Sequence, residues 1–223
     1  MFKPGDHISK DEQKAYYDDL RKQHEWECET FNKAQDCHML AEFYQTVDGN
    51  YKKAAAWYKT LCDERDYSRS CSFFGTCLLA GRGTDKDPKA AFDYFKKGCA
   101  LGSVEGCHNA GMMLRSTKYA EAGVKPDGNG AISYFKKACD QGFRNGCFML
   151  SVVYLRGEAG AKKDMPQALK YAKKACDLQH TWGCINAVKM LETGDGVPKD
   201  VEEAKRLRKR AQELVEGEGG NVM

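Results

Sequence analysis

The sequence is most informative first in what it lacks. No stretch approaches the roughly 20 consecutive apolar residues that a membrane-spanning helix needs, and five prolines are too few for a proline-rich linker. Charge of one sign is not in excess either: 35 Lys+Arg against 32 Asp+Glu leave a formal +3, which disfavours a strongly basic nucleic-acid binder. The amino terminus has no apolar core of a secretion signal. Its Asp6, Asp11 and Glu12 argue against an acid-poor transit peptide, so no targeting segment is expected. Also missing are any Asn-x-Ser/Thr acceptor, any C-x-x-C, and the G-x-S-x-G, H-E-x-x-H, P-loop and dinucleotide-binding signatures. Catalysis by a built-in triad or cofactor is therefore not expected.

What remains is a chain with 42% hydrophobic and 30% charged residues, enough for a packed interior under a charged surface. Its abundant residue is cysteine, 11 of 223. Ten of these fall into pairs, Cys28/Cys37, Cys62/Cys71, Cys99/Cys107, Cys139/Cys147 and Cys176/Cys184, whose second members recur after 34, 36, 40 and 37 residues. A period near 37 is the mark of a helical solenoid. Other positions keep the same step. Ala54, Ala91, Ala131, Ala168 and Ala204 recur, each followed three residues later by Trp57, Tyr94, Tyr134, Tyr171 or Leu207, with Lys96-Lys97, Lys136-Lys137 and Lys173-Lys174 on the next turn.

Each unit divides into two helices. In the clearest copy, Ser70 to Gly81 forms the first, with Phe74 and Leu78 on one side, Gly75 permitting close approach and Gly81 as the stop. Pro88 opens the second, amphipathic through Ala91, Tyr94 and Phe95 to Cys99. The third connector is stretched into a rim loop, residues 116–130. Ser9 and Glu12 predict a capping box opening an N-terminal capping helix over about 9–27. Ala204, Leu207, Ala211 and Leu214 make one stripe of a terminal helix. The expected architecture is all-α: one solenoid domain over 1–214 of about five helix-turn-helix repeats, with a flexible tail at 215–223.

Every cysteine pair joins the end of one helix to the start of the next across seven or eight intervening residues, close enough for the geometry of a disulfide. Structural cross-links are the favoured reading. Reduced core cysteines copied with the repeat are a second, and zinc, which would want C-x(2–4)-C knuckles and histidines, a third. The unpaired Cys77 is expected to be a free thiol, either a small core residue or an exchange nucleophile. The histidines are His7, His24, His38, His108 and His180, and His108 precedes Met112 by four residues. That pair is a candidate haem ligand set, with Met149 or Met190 as a second donor, because two residues on one helical face cannot hold opposite faces of one iron. Ser133-x-x-Lys136 matches S-x-x-K, but Lys136 is the repeat lysine and no S-D-N or K-T-G follows. The repeat lysines themselves allow a solvated row or a docking strip for acidic protein or lipid headgroups.

The stretch GTCLLAGRGTDKDPKAAFDYFKKGCALG resembles the SEL1-like repeat, and the likeness extends over nearly the whole chain. The C-x7-C spacing resembles the cysteine-rich Hcp-like family. The two early C-x8-C pairs, ACDLQHTWGCINA, GDGVPKD and RAQEL resemble more closely a eukaryotic family of respiratory-chain assembly factors. That resemblance implies a factor of the mitochondrial intermembrane space assisting cytochrome c oxidase (complex IV) assembly through protein–protein interaction. Its implied partners are respiratory-chain assembly proteins and the oxidative import machinery, which would trap a chain entering reduced. The alternatives it implies are a thiol-disulfide or haem-handling helper and an Hcp-like secreted penicillin- or peptidoglycan-binding protein.

Overall fold

A computed structural model describes residues 9–217, and among these it is helical with no strand. Eleven α-helices follow one another: α1 (Lys10–Phe31), α2 (Ala34–Thr46), α3 (Tyr51–Arg65), α4 (Ser68–Ala80), α5 (Pro88–Ala100), α6 (Val104–Leu114), α7 (Gly128–Asp140), α8 (Arg144–Arg156), α9 (Met165–Asp177), α10 (Thr181–Thr193) and α11 (Val201–Gly217). Each packs on the next in the chain. The even helices α4, α6, α8 and α10 also lie side by side, whereas consecutive odd helices stand farther apart. The even helices therefore form the inner, concave surface of an α-solenoid and the odd ones its outer layer.

Local chemistry places the boundaries. Ser9 Oγ accepts from the Glu12 amide, and Glu12 closes the box by accepting from the Ser9 amide at 2.9 Å. The helix it opens runs to Phe31, four residues past the expected 27, because the turn is made by Asn32 in the left-handed region, φ 51°. Helices α5, α7, α9 and α11 all begin behind an aspartate, Asp87, Asp127, Asp164 and Asp200, whose carboxylate accepts a backbone N–H three residues on at 2.9 Å. This repeated N-cap is worth about 1 kcal/mol per helix. The four aspartates recur at the repeat period in the sequence. Helix α4 ends at Ala80 with Gly81 at φ 69°, as the glycine stop predicts.

Packing follows the repeat. The recurring alanines Ala54, Ala91, Ala131, Ala168 and Ala204 are all fully buried, as a small side chain must be where an odd helix crosses closely over the even one before it. Gly75 shows how tight these crossings are: a Cβ there would meet the Phe95 ring at 2.7 Å. The main core runs through the solenoid on Leu40, Tyr58, Leu61, Phe74, Phe95, Met113, Phe135 and Leu150. The rim loop is anchored by Val124, 2% exposed, with a short 3-10 turn at Thr117–Tyr119. At the far end α11 continues to Gly217, past the expected start of the tail at 215; the rest of that tail lies outside the described residues.

Candidate functional site

Two repeated features carry the functional argument, the joints between helices and the inner face. The joints bring together all ten paired cysteines: Cys28–Cys37, Cys62–Cys71, Cys99–Cys107, Cys139–Cys147 and Cys176–Cys184 are disulfides with Cα atoms 4.5–4.7 Å apart. Each ties the last turn of an odd helix to the first turn of the following even helix. Closing such a short loop stabilises by roughly 2.5 kcal/mol in the chain-entropy picture. A second tie crosses between repeats. Arg65 donates to Asn32 O at 3.1 Å, Lys97 to Cys62 O at 2.7 Å, and Arg210 to Asp177 O at 3.0 Å, each capping the C-terminus of the preceding odd helix. Lys97 also meets Asp66 at 2.9 Å, and Lys174 meets Asp140 at 3.5 Å. Much of the repeat lysine row is therefore spent on neighbouring repeats rather than left as a free cationic strip.

On the inner face, the residues two and five places after the second cysteine of each pair stand opposite the buried stripe. They are Met39 and Glu42, Phe73 and Thr76, Asn109 and Met112, Met149, Asn186 and Lys189, while Val152, the remaining residue in this register, is buried at 7%. Met39 is 42% exposed, and Phe73, Met112 and Met149 are half-buried, so apolar and thioether surface runs along the groove. Methionine surface adapts to different partners. Arg115 fixes the middle of it. Its guanidinium donates to Glu158 Oε2 through Nε at 2.8 Å, pairs with the same oxygen through Nη2 at 2.7 Å, and places Nη1 3.1 Å from Met149 Sδ and 3.8 Å from Met112 Sδ.

Cys77 is buried in a register occupied in the other repeats by Phe43, Met113, Val153 and Met190, all core positions. Burial pushes its thiol up to about 11, against a smaller opposing pull from Arg82, so it is a small hydrophobe rather than an exchange nucleophile. His38 is enclosed by Tyr58, Tyr67 and Phe73, with Nδ1 2.8 Å from Ser70 Oγ. His108 lies against Phe135 and Phe143 at 5.7 and 5.4 Å. Burial lowers both imidazoles to about 4, helped at His38 by Arg69 and at His108 by Arg115. His180 caps α10, and His7 lies outside the described residues.

His108 and Met112 share one face of α6, so one iron cannot take both on opposite sides. Met149 shares the Arg115 guanidinium with Met112, and Met190 is buried elsewhere with Met165 and Val197. A haem iron on His108 would have to displace the packed Phe135 and Phe143 rings. No group of three or more His, Cys, Asp or Glu able to hold a metal occurs among the described residues. Lys136 pairs with Asp140 at 2.6 Å, which raises its pKa and withdraws it from any role as a base for Ser133. No described helix is long and apolar enough to cross a membrane.

Stacked, stapled helix pairs define the class, a repeat solenoid of the Sel1 kind. The Sel1 repeat model matches residues 1–17, 34–66, 68–103, 104–143, 145–180 and 187–211. Two solved structures share the fold: a Sel1 repeat protein from Oxalobacter formigenes, TM-score 0.71 at 21% identity over 93% of this chain and 84% of that one, and a protective antigen of uropathogenic Escherichia coli described as displaying an SLR fold, TM-score 0.74 at 22% identity over 86% of this chain and 40% of that one. The chain is 38% identical over 210 residues, 92% of its length and 90% of the relative's, to cytochrome c oxidase assembly factor 7 of Xenopus tropicalis. It is 35% identical over 205 residues, 90% and 88%, to the protein of that name in Homo sapiens. The chain belongs to the Sel1-repeat family and, within it, to the cytochrome c oxidase assembly factor 7 family.

Proposed function

We propose that this chain is a non-catalytic assembly factor for cytochrome c oxidase that works in the mitochondrial intermembrane space, holding partner proteins against the inner face of a stiff solenoid. The relatives' names supply the process, and the architecture supplies the manner. A scaffold must present a fixed shape, because any ordering it undergoes on binding is subtracted from affinity. Here each odd-to-even joint from α1 to α10 is closed covalently. That single feature carries the reading, and it also supports the compartment, since ten cysteines stay paired only where an oxidant forms and maintains disulfides. Entry in the reduced state followed by oxidative folding would trap the chain there.

The inner face, with Phe73, Met112 and Met149 between polar flanks, has the composition of a surface that accepts apolar side chains from a partner. A non-catalytic role is supported by the two reactive groups the sequence offered: Cys77 is buried and held as a thiol, and Lys136 is bound to Asp140. The test is complementation of cells lacking the protein with Met149→Asp and Phe73→Asp variants that keep the wild-type melting temperature. Loss of mature cytochrome c oxidase and of co-purifying assembly intermediates is the expected result; full rescue by both variants would overturn the inner-face assignment. Proximity labelling in intact cells that marks only cytosolic neighbours, or a native redox map with the ten cysteines reduced, would overturn the compartment.

A further inference from the structure

The first joint is built unlike the other four. Helix α1 spans 22 residues, yet among the described residues its one contribution to the buried core is Cys28. The other odd helices each bury at least three residues; α3, for example, buries Ala54, Ala55, Tyr58, Leu61 and Cys62. The side of α1 that faces α2 carries Tyr17, Arg21 and His24, and its remaining ties are polar: Tyr44 donates to Glu25 at 2.7 Å and Arg21 stands 3.7 Å from Asp48. A cleft of about 610 Å³ opens between the two helices beside Tyr17, Arg21, Thr46 and Asp48. Beneath α1 lie Phe43 and Tyr44, each only 6% exposed; the Phe43 ring is met by Tyr17 and His24 at 6.4 and 6.3 Å.

A second feature is particular to this joint. Arg65, from the next repeat, places Nη1 3.6 Å from Cys37 Sγ while donating to Asn32 O. No other disulfide sulfur among the described residues has a side-chain cation at hydrogen-bonding distance. A guanidinium there stabilises a thiolate on Cys37 and makes it the better leaving group, because a lower leaving-group pKa speeds thiol–disulfide exchange.

We propose that Cys28–Cys37 is a redox latch: thiol reductants open it before the other four disulfides, and its opening releases α1 from α2 and uncovers Phe43 and Tyr44. In the first step a reductant thiolate attacks Cys28 Sγ, forming a mixed disulfide at Cys28 and expelling Cys37 as a thiolate beside Arg65. A second reductant thiolate then attacks the reductant's own sulfur in that mixed disulfide. This yields oxidised reductant and a Cys28 thiolate. Two electrons pass from two reductant thiols to the Cys28–Cys37 bond, and the thiolates take protons from solvent. Both sulfurs are buried, at 2% and 0% for their residues, so attack follows fraying of α1, which the thin core beneath it permits. The other joints are held shut by several apolar residues as well. The latch is independent of the partner assignment above and survives its failure.

The test is timed reduction of the full-length oxidised protein with glutathione at pH 7.5, quenched by alkylation and mapped by peptide mass. Cys28 and Cys37 are expected to label first, with a rate at least tenfold above any other pair; simultaneous or later labelling overturns the proposal. Arg65→Gln should slow that first labelling about threefold or more, and Arg65→Lys should retain it. Unchanged or faster labelling in Arg65→Gln overturns the leaving-group role. As a variant needing no reductant, Cys28→Ser with Cys37→Ser should show α1 amides exchanging at near-unprotected rates while α3–α11 keep theirs. Protection of α1 in that variant overturns the latch.

Discussion

The two ends of the solenoid solve one problem with different means. Helix α11 has no disulfide, yet Ala204, Leu207 and Ala211 are buried, and its rim carries ion pairs from Lys173 to Glu203 and from Arg208 to Glu192. Helix α1 has a disulfide and, among the described residues, no other buried anchor. An end helix can thus be held by apolar burial alone or largely by a covalent bond, but the two are not interchangeable. Burial responds to temperature and volume, a disulfide to redox potential. The middle joints have both, and exposed ion pairs add little to either because solvent screens them.

The comparison breaks most sharply at α11. Leu207→Ala removes the largest buried side chain of that helix and should cost about 2–4 kcal/mol, with hydrogen exchange localising the loss to α11. If α11 stays fully protected, burial is not what holds that end. Next in size, replacing Cys176 and Cys184 by serine should cost roughly 2.5 kcal/mol while leaving the fold intact, because Ala172, Ala187 and Val188 still pack there. Urea unfolding measures this, and an undocked α9–α10 pair would show that even a cored joint depends on its bond.

Acid offers a third, smaller perturbation, aimed at the interior. His38 and His108 are held neutral by burial, with folded values near 4 against about 6.5 when unfolded. The unfolded chain therefore takes up protons as pH falls below 6.5 and the folded chain does not. Stability is full above that range and declines down to about pH 4, by about 1–2 kcal/mol per histidine between pH 7 and 5. Denaturant midpoints at the two pH values check this, and a midpoint that rises on acidification contradicts it. The smallest effect belongs to the inter-repeat ties: Lys97→Ala, which frees Cys62 O and Asp66, should cost under about 1 kcal/mol. A larger loss would mean that these caps, rather than the disulfides, set the stiffness of the rod.

Much of this was legible in the chain. The period of the cysteines predicted both the repeats and their pairing, because two residues at a short helix reversal can hardly avoid meeting. The recurring Ala and aromatic positions marked the second helix of each unit, since only a small residue fits a close crossing. Less legible were features that need a third dimension. The repeat lysines looked like a free row; Lys97 and Lys174 in fact reach the neighbouring repeat, a contact some 35 residues away in sequence that no local pattern reveals. The Asp87, Asp127, Asp164 and Asp200 caps were visible at fixed period and could have been read.

Periodicity alone determined that this protein is a rod of helix pairs with two cysteines at each of five joints and one cysteine left over, since side-chain size and spacing act locally and repeat without regard to the whole. Tertiary structure alone decided which helices face inward, that Arg115 gathers Met112 and Met149, and that Arg65 lies against the Cys37 sulfur. Those outcomes depend on how successive repeats rotate about one another, and that rotation arises from the sum of many packing contacts rather than from any one segment.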